Sequence, residues 1–125
     1  MFSFNKPNLI LRIEALFFLA AVIFIYWKMQ GSWLLFAILF FVPDISIIAY
    51  KVSRGIGSTI YNLFHTTIFA IIFVVIGLAI DNQNLLSIGL IWAAHIEFDR
   101  VLGYGLKYPT GFQDTHLGKI GGVKQ

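Results

Sequence analysis

The chain has no cysteine, only three prolines, and only 12% charged residues among its 125. The missing thiol excludes disulfides, thiolate metal ligands and a cysteine nucleophile. So little charge is incompatible with an ordinary soluble domain, in which about a quarter of the residues are charged. Internal repeats, low-complexity tracts, phosphate-loop spacing and a two-histidine zincin helix are also absent. What fills the chain is apolar, with 58% hydrophobic and 17% aromatic residues. An integral membrane protein follows.

A spanning helix needs about 20 apolar residues, and four runs meet that need: Leu9 to Trp27, Trp33 to Tyr50, Ile60 to Ile80 and Leu85 to Leu102. The connections are short, which forces antiparallel neighbours. The expected architecture is therefore all-α and polytopic: a four-transmembrane-helix antiparallel bundle, helices about 9–27, 33–50, 60–80 and 85–102, with a cytoplasmic interfacial tail over 103–125. Residues 1–125 read as a single membrane domain. The first run is longer than a signal-peptide core and lacks a small-residue cleavage site before Tyr26 and Trp27, so it reads as an uncleaved helix.

Basic residues near helix ends are retained in the cytoplasm. Lys6, Arg12, Lys51, Arg54, Arg100, Lys107, Lys119 and Lys124 fall on one side of a four-span topology, and only Lys28 on the other. Both termini are expected in the cytoplasm, with the protein in the inner (cell) membrane. This asymmetry and attraction to anionic membrane lipid account for the basic pI of 9.3 without nucleic acid. A homo-oligomer or a membrane-protein partner is compatible with the small-residue surface at Gly77, Ala79 and Gly89.

A charge inside hydrocarbon costs at least about 2.5 kcal/mol, so intramembrane ionisable groups pair with one another or line a functional cavity. Glu14, Asp44, His65, His95 and Asp99 all fall near one membrane face. At 1.5 Å per residue, Asp44 lies roughly 9 Å inside the second helix, level with His65 in the third and His95 in the fourth. His95 and Asp99 are four residues apart and share one helix face. That spacing suits either two ligands of one metal or an imidazole oriented by a carboxylate; a structural hydrogen bond is the simpler alternative. Pro43 removes a backbone hydrogen bond beside Asp44, clashes with the Leu39 carbonyl and is expected to kink the helix. The kink suits either binding of a cation or proton or a packing role with Asp44 paired to Arg12 or Arg54, and Glu14 needs a partner on another helix: His65, His95 or an arginine.

Tyr61, Asn62, His65 and Thr66 form a polar patch on the third helix. Gly55 and Gly57 read as turn residues of the second loop. The segment after the last span has turn-forming glycines and interfacial Tyr104, Tyr108 and Phe112. It is expected to fold back over the cytoplasmic mouth as a lid carrying His116.

Several motifs are shared with a known family. They are Leu11-Arg12-Ile13-Glu14, Pro43-Asp44-Ile45-Ser46, Tyr61-Asn62-Leu63-Phe64-His65-Thr66, Trp92-Ala93-Ala94-His95-Ile96-Glu97-Phe98-Asp99-Arg100, Gly103-Tyr104-Gly105-Leu106-Lys107-Tyr108-Pro109 and Asp114-Thr115-His116-Leu117-Gly118. Through them the chain resembles the bacterial membrane family known as domain of unknown function 4260. Glu97 stands where a small or apolar residue is expected in such relatives, which sets it apart from the shared site. The resemblance implies a small multi-span membrane protein and brings no activity with it.

Two functions fit these residues. In the first-ranked one the polar cluster is structural, partner-binding or proton-linked, because buried polar pairs are commoner than active sites. The alternative is a metal-dependent membrane hydrolase acting on a lipid-like or small polar substrate. There His65, His95, Asp99 and Asp44 would hold a divalent metal (zinc, manganese or iron), with Glu14 or His116 as the acid-base group.

Overall fold

Pro7 occupies the start of α1, where a missing N–H costs nothing, and α1 runs Pro7–Lys28. The computed structural model describes residues 6–106, 114–115 and 117–119. After α1 come α2 (Trp33–Leu39), a 3-10 helix (Val42–Lys51), α3 (Arg54–His65), α4 (Thr67–Ala79) and α5 (Gln83–Val101). A two-residue antiparallel ladder, β1 (Asp114–Thr115) with β2 (Gly118–Lys119), completes the described chain. The remaining regular structure among these residues is helical.

Three helical stretches are long and apolar enough to cross a membrane: Pro7–Lys28, Trp33–Lys51 and Arg54–Ala79. α5 has the length, at 19 residues, but carries Glu97, Asp99 and Arg100 near its end. Its position compensates for that polarity. α5 packs against α1 and α4, and Leu90, Ile91, Ala94, His95 and Ile96 are all buried. The outward faces of the other helices are apolar, as at Phe17, Leu34 and Ile68, which suits lipid as the surrounding solvent.

Two expected helices are interrupted. α2 ends at Leu39, four residues before Pro43, because the proline has no N–H to offer the Leu39 carbonyl. From there the Asp44 N–H bonds the Phe41 carbonyl at 3.2 Å, a tighter winding that persists for ten residues. Runs of 3-10 helix beyond three or four residues are uncommon and often mark functional segments. The third stretch begins at Arg54, earlier than hydropathy indicates, and breaks at Thr66, whose backbone is extended (φ −81°, ψ 147°).

Gly55 and Gly57 are helical residues of α3, not turn residues. A Cβ on Gly57 would lie 2.5 Å from the Tyr50 ring, so this glycine lets the 3-10 helix lie directly on α3. Gly77 and Gly89 serve the α4–α5 crossing in the same way, meeting the Leu86 backbone and Val74. Close approach of this kind is how helices associate without a hydrophobic driving force between them. At the opposite end from the charges, Tyr26 is fully buried and packs with Leu90 and Ile91. Its hydroxyl donates to the Ser32 carbonyl.

Candidate metal centre

The two helix interruptions and α5 converge on one point. Asp44 sits in the first turn of the 3-10 helix, His65 is the last residue of α3, and His95 and Asp99 lie one turn apart on α5. His65 Nε2 is 3.5 Å from Asp44 Oδ1, 3.4 Å from Asp99 Oδ2 and 3.2 Å from His95 Nε2. His95 Nε2 is 3.2 Å from each of the two carboxylate oxygens. All four inward atoms lie within 4.8 Å of one another.

With both imidazoles neutral, hydrogen bonds satisfy only part of this arrangement. His65 Nδ1 is 2.9 Å from the Tyr61 carbonyl. A carbonyl can only accept, so Nδ1 carries the hydrogen and a neutral His65 presents a bare lone pair at Nε2. That leaves His95 Nε2–H as the one available donor among neutral imidazoles, facing two carboxylates and a lone pair. His95 Nδ1 is buried with no hydrogen-bond partner of its own, although the Phe40 backbone carbonyl acts on that ring. With both rings neutral the cluster has two negative charges. A divalent cation matches both the charge and the surplus of acceptors.

The geometry agrees with that chemistry. Ligand bonds of about 2.0–2.1 Å in a tetrahedral zinc site imply separations of about 3.3–3.4 Å between donor atoms, and five of the six separations here are 3.2–3.5 Å. Octahedral coordination at the same bond length would need neighbouring donors at about 3.0 Å. Two imidazole nitrogens and two carboxylate oxygens suit zinc, manganese or iron by donor type, and the four atoms all lie within 4.8 Å of one another.

The surroundings hold the rings in place. Tyr61 stacks on His65 with centroids 3.7 Å apart and planes 6° from parallel. Phe40 meets His95 edge-on at 5.1 Å. Where α3 stops, the Phe64 carbonyl accepts a 2.7 Å hydrogen bond from the Trp92 indole N–H, so α5 caps the helix end that delivers His65. Trp92 was not singled out as a supporting residue by sequence; its spacing of one turn before His95 was the available signal. The site is open on one side only: the side chains of His65, His95 and Asp99 are 4%, 2% and 12% exposed, whereas Asp44 is 43% exposed.

Other residues expected near this centre lie elsewhere. Glu14 is exposed and lines a separate cavity with Glu97 and Arg100. Arg12 donates from Nε to the Val101 carbonyl at 2.9 Å and so ties the start of α1 to the end of α5 instead of pairing with Asp44. His116 lies outside the described residues. Its neighbour Leu117 is buried against the cavity lined by Glu14 and Glu97. Glu97, set aside by sequence reasoning, faces away from the four-residue cluster but is itself 93% buried by its 7% exposure.

Comparison with known proteins adds a family and no activity. A family model described as a domain of unknown function (DUF4260) matches residues 8–120. No curated protein and no solved structure gives a significant match.

Proposed function

This chain belongs to the DUF4260 family, and from that premise we propose that it is a membrane metalloprotein. Asp44, His65, His95 and Asp99 bind one divalent transition metal within the cytoplasmic half of the bilayer. The observation that carries the reading is the set of five separations at 3.2–3.5 Å that bring two imidazole nitrogens and two carboxylate oxygens to one point. Charge counting supports it equally, since two carboxylates within 4.8 Å repel unless a cation lies between them.

The proposed setting is a four-span antiparallel bundle in the inner membrane with both termini cytoplasmic. Eight of nine basic residues then lie on the cytoplasmic side. α5 is the fourth span, with its charged end sheltered between its neighbours. Each interrupted helix supplies a ligand at its break, a common use of irregular backbone at membrane depth.

Exposure of Asp44 favours hydrolysis over a purely structural role. A bound metal would supply Lewis acidity and lower the pKa of water at this open side. The chain's own contribution is to fix the two imidazoles by stacking and backbone bonding, exclude solvent from three sides, and leave the Asp44 side for a lipid-like or small polar substrate. The polar-cluster reading without metal is the competing account.

Cobalt(II) loading of the purified protein tests the proposal. Intense visible absorption of four-coordinate cobalt, lost in His65→Ala and His95→Ala, is the expected result. Weak six-coordinate absorption insensitive to both substitutions would overturn it.

A further inference from the structure

A second cavity, of about 370 Å³, lies between α1, α4 and α5 on the side of α5 away from the four-residue cluster. Its volume is in the lower part of the range for small-molecule sites, about 300–1,000 Å³. Glu14 from α1 and Glu97 and Arg100 from α5 line its polar part. Phe18, Val22 and Ile71 line the remainder. The Arg12–Val101 hydrogen bond fixes the relative height of the two helices, which puts Glu14 and Glu97 within about a turn of the same interface.

Glu97 is the feature that requires explanation. It is 7% exposed and makes no hydrogen bond or ion pair among the described residues, with Arg100 one turn away acting on it through space. Its side chain lines a cavity large enough to hold a partner, and a carboxylate in a largely apolar cavity favours a cationic one.

We propose that this cavity binds the headgroup of an ethanolamine phospholipid. A primary ammonium has three N–H donors, enough to serve Glu97 and Glu14 together. The adjoining phosphate meets the Arg100 guanidinium, whose planar fork suits phosphate oxygens. The first part of an acyl chain then lies along Phe18, Val22 and Ile71, which run from the charged end of the cavity toward the apolar part of the bundle. A choline headgroup has no N–H donor and leaves Glu97 unsatisfied. An anionic glycerol headgroup places its phosphate beside two carboxylates with no cation of its own. The site thus distinguishes amine lipid from both. It is independent of the proposed metal centre, since neither glutamate nor Arg100 is among the four inward-facing ligands.

Native mass spectrometry of the full chain released from detergent, with matched-chain phosphatidylethanolamine, phosphatidylcholine and phosphatidylglycerol, tests this. The wild type should bind the ethanolamine lipid about tenfold more tightly than the choline lipid, the equivalent of about 1.4 kcal/mol. Glu97→Gln should abolish that preference while leaving choline-lipid binding unchanged. Glu14→Gln, at an exposed position, should weaken the preference without any risk to folding, and Arg100→Gln should weaken all three lipids. Equal binding of ethanolamine and choline lipids by the wild type would overturn the proposal. So would an undiminished preference in Glu97→Gln, or no lipid retained at all.

Discussion

Replacing Asp44 with asparagine should have opposite effects with and without metal. The Asp44 and Asp99 carboxylate oxygens lie within 4.8 Å of each other. At that separation two negative charges repel by about 3.5 kcal/mol for an effective dielectric of ~20, and by about 0.9 kcal/mol in bulk water. Asp44 is 43% exposed, so solvent screening brings the expected repulsion toward the lower figure, about 1–2 kcal/mol. In chelator, where no metal lies between the carboxylates, Asp44→Asn relieves that repulsion and should raise the thermal midpoint of the detergent-solubilised protein by a few degrees. With excess zinc the order should reverse. The wild type gains about 2.7 kcal/mol when zinc is at 100 times its dissociation constant, and the variant, with one ligand and one charge fewer, gains much less. Thermal unfolding followed by tryptophan fluorescence reads both arms. If Asp44→Asn lowers the midpoint equally in chelator and in zinc, the cluster is an ordinary hydrogen-bonded network and the charge reasoning is wrong.

Other outcomes follow from contacts outside the ligand set. Trp92→Phe keeps an aromatic side chain, though a smaller one, and removes the indole N–H that caps the Phe64 carbonyl; metal affinity should fall several-fold by equilibrium dialysis, with all four ligands intact. Gly89→Ala places a Cβ 2.8 Å from the Val74 backbone nitrogen and 2.9 Å from the Ala70 carbonyl. Overpacking of that kind costs about 1–3 kcal/mol, which denaturant titration in mixed micelles should detect. Gly55→Ala, where a Cβ meets nothing closer than Ser53 Oγ at 4.0 Å, should be neutral or slightly stabilising in the same titration. Tyr26→Phe removes the hydrogen bond from a fully buried hydroxyl to the Ser32 carbonyl and should cost about 1 kcal/mol.

Hydropathy located the helical stretches because twenty apolar residues in succession have few alternatives in a lipid-facing protein. It placed the start of the third stretch too late. Arg54 to Thr59 contain one large apolar residue, Ile56, and they become helical because Ser53 caps the Ile56 N–H and Gly57 admits the Tyr50 ring. The break at Thr66 was also illegible. Thr66 is a common helix residue in membranes, and what stabilises the end of α3 there is Trp92, a residue 28 positions away. Pro43 announced the other interruption plainly, though not the ten-residue 3-10 winding that follows it.

The convergence of Asp44, His65, His95 and Asp99 could be anticipated from depth alone, because each ionisable group placed singly at that level would be costly. Depth does not specify azimuth, and this is why Glu14 was grouped with them. Glu14 faces the opposite side of α5, toward Glu97 and Arg100. Glu97 was set apart because a small or apolar residue is expected there in the resembled family; two residues from each of His95 and Asp99, it points away from both. Only the packing of α1 against α5 makes that second direction a buried one.

The central claim is that the four side chains hold one divalent metal, and elemental analysis tests it most directly. Protein purified in detergent, chelated mildly, reloaded with zinc and freed of excess metal should carry close to one zinc per chain. His65→Ala and His95→Ala, each shown by circular dichroism to remain helical, should carry almost none. Zinc absent from the wild type under every loading condition, or retained equally by both variants, would contradict the account and leave the cluster as a polar core without a metal.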